Sequence, residues 1–141
     1  MRIVVGVDGS EHSARALAWC AKYAAALDAD VVAVHAIEIP VFATPGVGYV
    51  PVPALNDRDR EELAEVVRRE WCAVLGDAAV PFRVVISDGS PAQVVIDVAR
   101  KEDADLVVTG RRGRGGFAEL LLGSTSHQLS HHLDRPLVIV P

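Results

Sequence analysis

Short runs of valine and isoleucine alternate along this chain with longer stretches whose apolar positions recur at helical spacing. The first kind reads as buried strand and the second as amphipathic helix. Residues 3–7 form a strand closed by Gly9-Ser10, and Ser10 is placed to cap a helix running to about Leu27. Residues 31–37 form the second strand. A helical pattern capped by Asn56 covers residues 57–75, and residues 82–86 form the third strand. Ser90-Pro91-Ala92-Gln93 reads as a helix start, with serine at the cap, proline at the first position and glutamine at the third. That helix ends near Lys101. Residues 106–109 form a fourth strand, 124–132 a short helix and 137–140 a fifth strand.

Nearly continuous apolar strands joined by helices imply an α/β fold: one open parallel sheet of five strands with helices on both faces. Such sheets take ligands beyond the carboxyl ends of their strands, where the strand order reverses. Asp8, after strand one, and Gly110, after strand four, are the natural pair to flank that point. Residues 38–55, broken by Pro40, Pro45, Gly46, Gly48, Pro51 and Pro53, are expected to be one long irregular loop on the ligand side.

The most informative stretch is 110–126, Gly-Arg-Arg-Gly-Arg-Gly-Gly-Phe-Ala-Glu-Leu-Leu-Leu-Gly-Ser-Thr-Ser. It runs from a strand through a glycine-rich loop to a helix start. Glycines let backbone N–H groups approach an anion, and the helix start adds unpaired donors and a positive dipole end. The chain lacks a Gly-Lys-Ser/Thr sequence, so this is not the common NTPase phosphate loop. Without that lysine and an acidic magnesium partner, fast hydrolysis is not expected.

Charge and length narrow the classes. At 141 residues the chain reads as one domain, and a net charge of −5 disfavours nucleic acid as the main partner. Arg111, Arg112 and Arg114 lack interleaved aromatics, so single-strand binding has little to build on. Met1-Arg2 leads directly into the first strand and no apolar run reaches about 18 residues, which makes the cytoplasm the expected location.

Gly110, Gly113 and Gly123-Ser124 follow the spacing Gly-x2-Gly-x9-Gly-Ser. With Arg114 and Leu121-Leu122 inside it, this resembles the ATP-binding branch of the universal stress protein family. Other segments extend the resemblance over residues 1–141. They are Ile3-Val4-Val5-Gly6-Val7-Asp8-Gly9-Ser10, Val34-His35-Ala36, Asp88-Gly89-Ser90-Pro91 and the closing Pro136-Leu137-Val138-Ile139-Val140-Pro141. The resemblance implies a Rossmann-like sheet in the order 3-2-1-4-5, similar to that of adenine nucleotide alpha hydrolases. It implies ATP as ligand, with Mg2+ carried on its phosphates, and a homodimer joined through Leu137, Val138, Ile139 and Val140. Gly6, Val7 and Ala36 would border the adenine and Asp8 would hold the ribose. Gly110, Gly113, Gly123, Ser124 and Thr125 would hold ribose and phosphates, with Thr109, Arg112, Arg114 and Ser126 completing the site. Thr125 stands where many members have valine, and Arg111-Arg112 is more basic than usual.

The resemblance implies a nucleotide-loaded regulator of the stress response rather than a metabolic enzyme. The alternatives are a slow ATPase or other nucleotide-processing enzyme, a cyclic AMP-binding protein, and an interaction module without nucleotide. Asp8, before Gly-Ser, also suits a purely structural part in its turn. His127 and His131 have a spacing that can hold a metal, with His132 beside them, but no Glu or Cys completes a set. They read as a polar helix face. Cys20 and Cys72 lie in apolar helical stretches and read as buried reduced thiols.

Overall fold

Alternate residues of the first strand bury on opposite sides of a sheet, as the pleat requires. Strand β1 (Arg2–Gly6) sends Ile3 and Val5 into one apolar cluster and Val4 into another, and all three are fully buried. The protein is represented by a computed structural model that describes residues 1–38, 41–44, 48–51, 55–114 and 121–141. The helices are α1 (Glu11–Ala24), α2 (Asp57–Val66), α3 (Ala73–Asp77), α4 (Pro91–Lys101) and α5 (Ser124–His132). The remaining strands are β2 (Asp30–Ile37), β3 (Val41–Thr44), β4 (Gly48–Pro51), β5 (Phe82–Asp88), β6 (Leu106–Gly110) and β7 (Leu137–Val140).

Five of the strands form one parallel sheet in the order β5-β2-β1-β6-β7. Numbering only those strands along the chain, this is 3-2-1-4-5, as expected. Register places Val4 beside both Val32 and Val107, so the centre of the sheet is a ladder of β-branched residues. One face packs on Ala16, Leu17 and Cys20 of α1 and on Val67, Cys72 and Leu75. The other packs on Ala92, Val95 and Ala99 of α4 and Leu129 of α5. Strand order reverses between β1 and β6, which opens a crevice at their carboxyl ends.

Four local expectations need correction. The first helix stops at Ala24 rather than Leu27. Asp28 turns into the left-handed region at φ 47°, and the Ala29 N–H returns to the Ala24 carbonyl at 2.9 Å. The same closure ends α3 at Ala79 and α4 at Asp103. Secondly, the helix expected over 57–75 is interrupted by a π-helical turn at Val67–Trp71, where the Cys72 N–H reaches back five residues to the Val67 carbonyl at 2.9 Å. The extra residue brings Val67, Cys72 and Leu75 together into the core and leaves Trp71 only half-buried at its edge. Thirdly, the segment 38–55 contains an antiparallel pair, β3 with β4, with Thr44 opposite Gly48. Each strand is four residues long, and Pro51 stands at the end of β4 opposite Val41. Fourthly, Ser90 occupies the cap position of α4 but makes no side-chain cap bond, and the reciprocal half of the capping box is also missing, since Gln93 donates to Asp97 at 2.8 Å instead of reaching back.

Candidate functional site

The crevice is bounded on three sides by backbone that the fold brings together. Gly6, Val7 and Asp8 leave β1, Val34, His35 and Ala36 end β2, and Thr109 and Gly110 end β6. Arg112 and Thr125 close one rim, Ser13 another, and Pro91 and Val95 come from the start of α4. The space amounts to about 470 Å³ with the open solvent at its mouth included. Val7, Val34, Ala36, Pro91 and Val95 give the lining an apolar part, and Asp8, Thr109, Arg112 and Thr125 add polar groups to it.

Asp8 is the charge centre. Its Oδ1 accepts from the Ser10 N–H at 2.9 Å and its Oδ2 from the Arg114 N–H at 3.1 Å. Burial pushes this carboxyl upwards, but donors at Ser10, Ser13 and Arg114 outweigh it and hold Asp8 below the ordinary aspartate value. Asp8 thus shapes its own turn and still faces the cleft, so the structural and ligand-facing readings of this residue coexist. An ionised carboxylate is acceptor-only, with about four lone-pair sites, which suits Asp8 to accept a ligand's hydroxyl as well.

The loop glycines are needed for close approach and not for unusual dihedrals. Gly110, Gly113 and Gly123 all avoid the left-handed region. A Cβ on Gly110 would lie 2.6 Å from the His12 backbone, and one on Gly113 would lie 2.6 Å from Asp8 Oδ2. One on Gly123 would lie 3.0 Å from the Arg112 Cα. Gly123 caps α5, and its own N–H bonds the Arg111 carbonyl at 2.8 Å, which closes the loop on itself. Among the described residues no carbonyl accepts from the first-turn amides of α5 beside Thr125, since a helix start offers them none.

Of the residues singled out in the sequence, Gly6, Val7, Asp8, Ala36, Thr109, Gly110, Arg112 and Thr125 line the cleft. Ser126 is turned away: its buried hydroxyl reaches the Arg111 and Gly123 carbonyls at 2.7 and 3.0 Å. It serves as a staple of the loop, because a hydroxyl whose one hydrogen is held by backbone has no donor left for a ligand. The Arg114 side chain is likewise drawn aside, its guanidinium 5.3 Å from the Trp71 ring centroid. Arg112 Nε is buried without a hydrogen-bond partner among the described residues, and so is Arg111 Nε. Gly113, Gly123 and Ser124 are not among the residues that line the cleft, and Gly115 and Gly116 lie outside the described residues.

Sequence reasoning gave no ligand role to His35, Pro91 or Val95, though all three line the cleft. His35 sits at the carboxyl end of a central strand, which was a usable signal; its Nδ1 is 2.9 Å from the Val7 carbonyl. Trp71 was missed because only the π-helical turn brings it to this side. His127 and His131 lie exposed on α5 with ring centroids 4.6 Å apart. Among the described residues no group of three His, Cys, Asp or Glu could hold a metal.

The sequence model of the universal stress protein family matches residues 1–141. The chain belongs to the universal stress protein family. It is 35% identical over 141 residues to a universal stress protein of Thermus aquaticus, covering 98% of this chain and 96% of that one. It is 35% identical over 138 residues to universal stress protein Rv2623 of Mycobacterium tuberculosis, covering 97% of this chain and 44% of that one. The chain thus spans less than half the length of the mycobacterial relatives it matches. Among solved structures, UspA of Lactobacillus plantarum superposes with a TM-score of 0.77 at 21% identity, covering 100% of this chain and 97% of that one. A universal stress protein in complex with cAMP gives 0.70 at 24%, covering 100% and 96%. One from Archaeoglobus fulgidus in complex with dAMP gives 0.70 at 22%, covering 100% and 98%. At these identities the structures establish the shared fold. No helix of the described residues is long and apolar enough to cross a membrane.

Proposed function

We propose that this protein binds ATP in the crevice between β1, β2 and β6 and acts in the cytoplasm as a homodimeric, nucleotide-loaded regulator of the stress response. The observation that carries the ligand is the arrangement of donors beyond Asp8. Arg112 Nε is buried without a partner among the described residues, Thr125 faces the same rim, and the first-turn amides of α5 stand beside them. Together they suit a chain of phosphates longer than one. The adenine would lie against Val7, Ala36, Pro91 and Val95, and the ribose hydroxyls would donate to Asp8. Asp8 is already engaged by Ser10 and Arg114, so Mg2+ would be held by the phosphates. The family's solved structures with cAMP and dAMP support an adenine nucleotide as the ligand class.

The same geometry favours binding over hydrolysis. Asp8 is the one carboxylate among the lining residues, and its two oxygens accept backbone N–H groups rather than a water proton. The second copy would join at β7, an edge strand of the sheet. A ligand confined to the folded state adds about 2.7 kcal/mol at a hundredfold excess over its dissociation constant, several degrees for a domain of this size. Saturating Mg-ATP should raise the melting temperature more than AMP or cyclic AMP does. A melting curve that no adenine nucleotide moves would remove this reading, and a larger shift with cyclic AMP would reassign the ligand.

A further inference from the structure

Trp71 touches none of the space of the cleft, yet two of its contacts lead there. It ends the π-helical turn at Val67–Trp71, half-buried at the edge of the core. The Arg114 guanidinium lies 5.3 Å from the centroid of its ring. The Arg114 N–H is itself anchored on Asp8 Oδ2 at 3.1 Å. Its other contact is His35, edge-on at 90° with centroids 5.1 Å apart, and His35 holds the Val7 carbonyl.

Gly9 shows how tightly these parts meet. It takes φ +75°, and a Cβ there would stand 2.6 Å from Arg114 Nη2 and 2.7 Å from the Trp71 ring. The Asp8-Gly9 turn, the head of Arg114 and the indole therefore share one packed junction. Only the wide turn delivers residue 71 to it. In a regular helix the residue four places after the buried Val67 would face the core, which is the place that Cys72 takes.

We propose that Trp71 is the positioning residue of the glycine loop: stacked on Arg114 and edged against His35, it holds the loop and the Asp8 carboxylate in the arrangement that receives the nucleotide. This rests on the adenine-nucleotide reading of the cleft. Arg111 is fixed by its bonds to Val140, Gly123 and Ser126, whereas Arg114 is held to Asp8 by one backbone hydrogen bond. The cation over the indole is a second tether on the same residue. A loop fixed at two points loses less freedom when ligand arrives, so affinity rises with no contact between Trp71 and the ligand.

The test uses Trp71→Leu, Trp71→Phe and Arg114→Gln in the whole chain, with two readouts. In the ligand-free protein, amide exchange at Arg114 should quicken in Trp71→Leu and return towards wild type in Trp71→Phe, which keeps an aromatic face. ATP affinity should fall about fivefold in Trp71→Leu and in Arg114→Gln, the size of a partly exposed cation–aromatic contact. The double variant should be no weaker than its weaker parent, because both remove one tether. Unchanged Arg114 exchange in Trp71→Leu, or losses of affinity that add, would overturn the proposal. A wild-type protein that binds no ATP while Arg114 exchange still responds would remove the nucleotide reading and leave the tether standing. If Trp71→Leu does not fold, Arg114→Gln in a Trp19→Phe background decides: the emission of Trp71 must shift in the absence of ligand, and constant emission refutes the contact.

Discussion

Gly110→Ala and Gly113→Ala separate two physical reasons for a glycine that look the same in the sequence. At Gly110 the added Cβ would stand 2.6 Å from both the carbonyl carbon and oxygen of His12 and 2.8 Å from its Cβ. Carbon–carbon contacts settle at about 3.5–4.0 Å, so the two backbone segments must part by about 1 Å. Neither yields easily. Gly110 closes β6 beside Val140, with the next N–H bonded to the Val140 carbonyl at 2.7 Å, and His12 lies in the capped first turn of α1. Overpacking of this kind costs about 3 kcal/mol, the upper end of the usual range, because backbone and not a side chain must move. For a domain of this size that lowers the melting temperature by about 10 °C. At Gly113 the added Cβ meets the Asp8 carboxylate, which can rotate away. The fold then loses about 1 kcal/mol, the worth of a hydrogen bond, but Asp8 no longer faces the ribose and ATP affinity falls about tenfold or more. Scanning calorimetry and equilibrium dialysis on the two variants give both numbers. A Gly110→Ala protein melting within about 2 °C of wild type, or a Gly113→Ala protein that loses more stability than affinity, would refute this division.

Three further outcomes are expected. Burial pushes the Cys20 thiol up to about 12 and the Cys72 thiol to about 11, so neither should react with a thiol reagent at pH 8 until the protein unfolds; prompt labelling of the native state would contradict this. Asp8 is held below its ordinary value of 3.8, so its contribution to stability is complete above that pH and is lost as pH falls further. Asp8→Asn should therefore flatten the loss of stability below about pH 4 in acid titrations followed by circular dichroism, and an unchanged slope would count against it. Ile139 belongs to neither buried cluster, so Ile139→Lys should lower the oligomer mass in light scattering while the monomer still folds; a wild-type protein that runs as a monomer at micromolar concentration would exclude the β7 interface.

The sequence by itself determined the architecture. Runs such as Ile3-Val4-Val5 and Val31 to Val34 are buried on both sides, and only a parallel sheet flanked by helices can cover them. It also determined where the cleft would open, since Asp8 and Gly110 end adjacent strands at the reversal of strand order. The spacing Gly-x2-Gly-x9-Gly-Ser, together with the matched segments, sufficed for the family.

Tertiary structure decided how those residues share their tasks. Whether Ser126 faces a ligand or staples the loop depends on the distance to Arg111, fifteen positions away, and no local rule contains it. In the sequence the glycines of the loop read as room for an anion, whereas the structure also shows room needed for His12, Asp8 and Arg112. The π-helical turn escaped the pattern because a period of 3.6 residues accommodates Val67, Trp71 and Leu75 as well as it does any regular helix. Only packing against the sheet rewards the extra residue, which buries Cys72 and frees Trp71 for Arg114. Periodicity records which side of an element is apolar, and contacts between elements distant along the chain fix which atom faces which.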